Sequence, residues 1–149
     1  MNKTVFSRTD NLRMVERISK LTPTSTCVWG NMSPATMLYH CNITNNAILG
    51  AMPSGKKRTL KQFLLKHLIL NIKKAIPRGI KGNPKFFPTE NSNLLFEEER
   101  RNWIQIICKF LNIQHQLEGD HPVFGTLDTT EWGRFVWLHM DHHLRQFGV

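Results

Sequence analysis

Apolar side chains recur along most of this chain every three to four residues, the spacing of helices that bury one face. A first helix is predicted over Arg8–Leu21, with Ser7 as N-cap and Asp10 three residues on. Thr22-Pro23 stops it, because the residue before a proline disfavours helical geometry. Ser33 and Pro34 open a second helix that runs to about Gly50. Thr59 and Gln62 stand at capping-box spacing ahead of a third, which reaches about Ile76 and meets Pro77-Arg78-Gly79. Residues 77–93, with three prolines and two glycines, read as a loop. A fourth helix covers roughly Phe96–Ile113, with Glu97, Glu98 and Glu99 at the positive end of its dipole. QHQLEGDHPVFGTL reads as a second loop; Asp128, with Glu131 three residues later, then opens a fifth helix. No segment alternates like a strand. The expectation is an all-α bundle with one helix extra, in a single domain over 1–149.

The length suits one core, and 40% apolar with 21% charged residues excludes a disordered chain. Cys27, Cys41 and Cys108 are odd in number and form no C-x-x-C pair, which argues against a disulfide framework and for a reducing compartment. MNKTVFSRTDNLRMVER lacks the apolar core of a signal peptide. Phe63–Ile72, broken by Lys66 and His67, is too short to cross a bilayer. A cytoplasmic protein with no membrane partner is expected.

Charge is unevenly placed. The net value is +9, no acid occurs between Glu16 and Glu90, and ten bases fall within Lys56–Lys85. Such a block attracts nucleic acid, an anionic membrane or a small anion. The bland alternative is a solvated face balanced by Glu97, Glu98 and Glu99. Phe63, Phe86 and Phe87 show no aromatic–glycine–basic pattern, so nucleic acid is the less favoured partner.

The last helix holds the most informative pattern. With about 100° per residue, Trp132, Phe135, Val136, His143, Gln146 and Phe147 share the side of His139. Arg134, Trp137, Asp141 and Arg145 lie opposite, and His142 sits at the rim. Two imidazoles buried one turn apart without partners would cost several kcal/mol; a divalent ion resolves that cost. The alternative is that one histidine bonds a core carbonyl and the other lines an edge. On the second helix, His40 shares its face with Met37, Thr44, Ala47 and Ile48, while Asn42, Asn45 and Asn46 point away. His40, His139 and His143 thus make a His₃ set, the ligand count of an open site. His67 lies on an ambiguous stripe of the third helix, as a further ligand, an acid/base group or a rim histidine. Cys41 and Cys108 read as small core residues.

An inward histidine on an early helix, followed by His139-x-x-x-His143-x-x-Gln146, resembles the DinB/YfiT-like superfamily of metalloenzymes. More closely, the chain is similar to a bacterial branch of it known only as a domain of unknown function. Leu21-Thr22-Pro23, Trp29-Gly30-x-Met32-Ser33, Met37-Leu38-x-His40-Cys41, His121-Pro122-x-Phe124-Gly125-x-Leu127, Glu131-Trp132-Gly133 and His139 through Gly148 carry the likeness. It implies a four-helix bundle, here with an additional N-terminal helix. It also implies a homodimer and a divalent metal, zinc or nickel foremost, on His40, His139 and His143. Trp137 and Leu138 are the expected apolar residues of a dimer face. Characterised relatives include thiol-dependent transferases, which implies a low-molecular-weight thiol as cofactor.

The function expected is therefore a metal-dependent enzyme acting on a small molecule, by thiol transfer or by hydrolysis. Gln146 would orient a ligand from outside the metal's own shell, with His67 as a second such group. Lys61 and Lys66, on the helix of His67, would steer an anionic substrate. Glu131 at the rim and Asp141 on the far side leave no inward carboxylate base, which favours thiol chemistry. The alternative is a non-catalytic basic helical module binding nucleic acid or another anionic partner.

Overall fold

The computed structural model describes residues 2–50, 59–89, 92–113, 117 and 119–149. Helix α1 (Arg8–Ser19) starts where the Ser7 hydroxyl accepts from the Asp10 N–H, while the Asp10 carboxylate accepts from the Thr4 N–H. Helix α2 (Pro34–Leu49) starts where Ser33 accepts from the Thr36 N–H, and it closes on Gly50. Helix α3 (Leu60–His67) carries the capping box of Thr59 and Gln62. It does not continue to Ile76 as an α-helix. A π turn over Leu68–Lys73 follows, and Lys74 in the left-handed region, at φ 48°, ends it. Helix α4 (Phe96–Phe110) stops short of Ile113, and α5 (Thr129–Gln146) has the capping box of Asp128 and Glu131.

The fold is mostly helical but not all-α. Strands β1 (Gly119–His121) and β2 (Gly125–Leu127) form an antiparallel hairpin, pairing Gly119 with Leu127 and His121 with Gly125. Three residues are too few to display alternation, so this segment reads as loop from sequence.

Helix α2 lies along α4, α1 packs against α4 and α5, and the π turn leans on α5. Met14, Ile18, Met37, Leu38, Trp103, Ile107, Trp132 and Met140 fill the space between. Helix α5 is the central element and is covered on almost every side. Trp137 and Leu138 are only 7% and 4% exposed, so they belong to the protomer's own core and not to a dimer face. The expected outer side of α5 meets α1 instead: Asp141 takes ion pairs from Arg17 at 2.7 Å and Arg145 at 2.8 Å. Asn42 and Asn45 are likewise buried rather than outward, and the Asn42 amide donates to the Glu99 carbonyl and carboxylate at the α2–α4 seam. A helical wheel marks these sides as polar, but it takes no account of packing on two faces. Cys41 is in the core, whereas Cys108 is exposed and not a core residue.

Among the described residues no helix is long and apolar enough to cross a membrane. Lys56, Lys57 and Arg58 of the basic block lie outside those residues. Glu97 pairs with Arg100, and Glu99 holds Asn42, and among the described residues neither forms an ion pair with a base of the block.

Candidate metal centre

Helices α2 and α5 bring His40, His139 and His143 together. One ring nitrogen of each lies within 4.8 Å of the others, and among the described residues no carboxylate or thiol belongs to the group. Nε2 of His40 and Nε2 of His139 are 3.2 Å apart. Two nitrogens bonded to one tetrahedral ion at roughly 2.0–2.1 Å would stand about 3.4 Å apart, so the His40–His139 pair fits a shared metal, and the group as a whole, spread over as much as 4.8 Å, would have to draw in around it.

Hydrogen bonds on the far nitrogens set the rings. His40 Nδ1 donates to the Phe86 carbonyl at 3.1 Å, and His143 Nδ1 donates to Gln146 Oε1 at 3.1 Å. Each bond places the ring proton on Nδ1 and leaves a lone pair on Nε2, the arrangement that a metal ligand needs. Gln146 is itself held, its amide donating to the Trp29 carbonyl at 2.9 Å. His139 stacks on Phe135, and its buried Nδ1 has no partner among the described residues.

Burial lowers the pKa of all three imidazoles, because charge is poorly solvated there. For His143 it is pushed down to about 3, with His40 adding to the effect. His139 is held well below the usual range, by burial and then by His143 and His40. His40 is lowered by burial, which outweighs the opposing Phe86 carbonyl. All three are neutral near pH 7, the ligating form.

A segment whose sequence reads as plain loop closes over the cluster. The Phe86 carbonyl binds His40, and the Phe87 ring stacks on it at 4.5 Å. A Cβ at Gly82 would stand 2.8 Å from the Phe87 ring and 4.0 Å from Cε1 of His40, so only a glycine fits this approach. The Ile76 carbonyl takes a hydrogen bond from His142 Nδ1, which leaves His142 outside the group of three. The Arg78 guanidinium lies 3.9 Å over the Trp29 ring. Backbone carbonyls have no sequence signature, so no residue pattern marks Phe86 or Ile76.

The other expected site residues lie apart from the cluster. His67 is exposed and accepts from the Asn71 amide, so it does not support the ligands. Lys61 is exposed, and Lys66 is tied to Glu131 at 2.7 Å and to the Thr126 carbonyl. Lys66 lines a cleft of about 330 Å³ between α3, β2 and the start of α5. In the segment that covers the cluster, Arg78 lies over Trp29, whose ring meets His142, and Lys81 and Lys85 are exposed. His121, read from sequence as a loop residue, is packed between Phe124 and Phe135 in the core. Its Nδ1 accepts from the Val123 and Phe124 N–H groups.

Gln146→Leu should leave the His143 Nδ1–H unpaired and weaken zinc binding roughly tenfold to a hundredfold. Gly30→Ala should act in the same direction: φ there is +79°, and the new Cβ would come 2.7 Å from Gln146 Nε2. Chelator competition reads both. Unchanged zinc affinity in Gln146→Leu would remove the positioning role.

Among family models, the one described as protein of unknown function (DUF1569) matches residues 2–148. No curated protein and no solved structure matches the chain.

Proposed function

The chain belongs to DUF1569, whose description states no activity, and we propose from the histidine site that it is a divalent-metal-dependent enzyme acting on a small molecule. The observation that carries this reading is the three neutral imidazoles converging within 4.8 Å with no carboxylate among them. The likeness to DinB/YfiT-like metalloenzymes supports it; a bundle of four is best read from α1, α2, α4 and α5, since α1 and α2 each meet both α4 and α5, while α3 packs against β2 and the π turn. Zinc or nickel suits the nitrogen donors.

When bound, such an ion supplies Lewis acidity, lowering the pKa of a thiol or water beside it. His40, His139 and His143 hold it, the Phe86 carbonyl orients His40, and Gln146 orients His143. Thiol chemistry is favoured over hydrolysis because the nearby carboxylates of α5 are engaged elsewhere. Glu131 holds Lys66 and the Asp128 N–H, and Asp141 holds Arg17 and Arg145. Cys41 is not the thiol, since burial pushes its pKa up and Sγ contacts Met37.

The test is calorimetric titration of two small thiols, anionic mercaptosuccinate and cationic cysteamine, with and without one equivalent of zinc. Binding is expected only with zinc, and mercaptosuccinate should bind about tenfold tighter because the segment that covers the histidines carries Arg78, Lys81 and Lys85. Lys81→Glu with Lys85→Glu should erase that preference while leaving zinc content unchanged. A protein that takes up no zinc would return the reading to a basic binding module.

A further inference from the structure

The outward side of α3 and its π turn is apolar where a surface helix is ordinarily polar. Leu60, Phe63, Leu64, Leu68 and Ile72 are exposed by 74%, 59%, 58%, 36% and 63%. Four of them fall at every fourth residue, and the wider π turn keeps Ile72 close to the line of the α-helical part. The row is about 18 Å long. Ile69 and Leu70, on the opposite side, are buried and anchor it to the core.

Cations border this row. Lys61 stands at one end and Lys73 and Lys74 at the other; all three are exposed. None has a carboxylate partner among the described residues. The chain has no acid between Glu16 and Glu90 to offset them. An apolar row flanked by lysines is the composition of a helix that lies in a lipid interface, with its apolar side at the acyl boundary and its ammonium groups among headgroup phosphates.

We propose that this face docks the protein peripherally on an anionic bilayer, α3 and the π turn lying along the surface. A second copy of the chain is a poorer occupant, since two-fold pairing would set one row of lysines against another. An acidic protein would need a groove shaped to a single convex row, whereas a lipid surface adapts to it. The inference does not rest on the metal reading, because no histidine of the cluster lies on this face.

The test is co-sedimentation of the full chain with vesicles of phosphatidylcholine alone or with one quarter phosphatidylglycerol. Binding to the mixed vesicles should exceed binding to phosphatidylcholine at least about tenfold and weaken with added salt. Leu64→Glu with Ile72→Glu, both at exposed positions, should lower it at least about tenfold with unchanged circular dichroism. Lys73→Glu with Lys74→Glu should also lower it, with the apolar row intact. The proposal is overturned if the unaltered protein stays in the supernatant, or if the Leu64→Glu and Ile72→Glu changes leave vesicle binding intact. It is equally overturned if sedimentation equilibrium finds a dimer that those changes split, which would assign the face to a second copy.

Discussion

Replacing any one of His40, His139 or His143 with alanine should cut bound zinc from about one ion per chain to a trace. Structural zinc sites are worth about 10–16 kcal/mol over four ligands, so one ligand contributes about 2.5–4 kcal/mol, roughly a hundredfold to a thousandfold in affinity. His142→Ala is the informative control. Its ring is 5.2 Å from that of His143 but its Nδ1 is bound to the Ile76 carbonyl, so metal content should persist. The apo protein should stay folded, because a core of this extent does not depend on an ion. Inductively coupled plasma measurement on protein purified without a histidine tag reads the metal. Circular dichroism after chelator reads the fold. Equal loss of zinc in the His142 variant would mean that the three-residue assignment is wrong.

The second large effect is on acid stability. His143 falls from 6.5 in the unfolded chain to about 3 in the fold, and His121 from 6.5 to about 4. His139 moves in the same direction, with burial as the main cause. A buried neutral histidine costs nothing above pH 6.5, where neither state is protonated. As pH falls below 6.5 the unfolded chain takes up protons that the native rings refuse, and stability declines until the folded pKa is reached. Each such ring contributes about 1.4 kcal/mol per pH unit, so three together remove roughly 4 kcal/mol per unit. Ordinary domains hold about 5–15 kcal/mol, and cooperative unfolding is expected between about pH 5 and pH 4. Zinc should move the midpoint to lower pH, since it binds only the neutral rings. Urea midpoints that stay level from pH 7 to pH 4.5 would contradict the buried, neutral state of these histidines.

Much of the fold is legible in the order of residues alone. The helix starts at Ser7, Ser33, Thr59 and Asp128 are local events, in which a side-chain oxygen meets an N–H three residues on. Such bonds are written in a few consecutive residues. The pairing of His139 with His143 is equally local, because one helical turn brings them together wherever the helix lies. The inward direction of His40 follows from its apolar neighbours Met37 and Ile48.

The departures from the sequence pattern share one cause. The rule that a helix buries a single stripe puts Trp137, Leu138 and Asp141 outside, yet all three are enclosed or paired. That rule fails for α5, which has α1 and α2 on separate sides and the hairpin and π turn beside it. It fails for Asn42 and Asn45 for the same reason. The hairpin leaves no pattern because its strands are three residues each. A shared helix groups His67, Lys61 and Lys66 with the site, yet α3 turns an apolar row to solvent and ties Lys66 to Glu131.

By itself, then, the sequence determined the helices, their caps and the two histidines that lie one turn apart, because each depends on contacts within a turn or two of chain. Only the tertiary structure decided that His40 meets them across 99 residues of sequence. It also decided that the segment from Ile76 to Phe87 covers the cluster and lends it a carbonyl and a phenyl ring. Those contacts are made by backbone groups and by side chains far apart in the chain. Their positions follow from how α2 and α5 pack in the core, and no local pattern of residues records that.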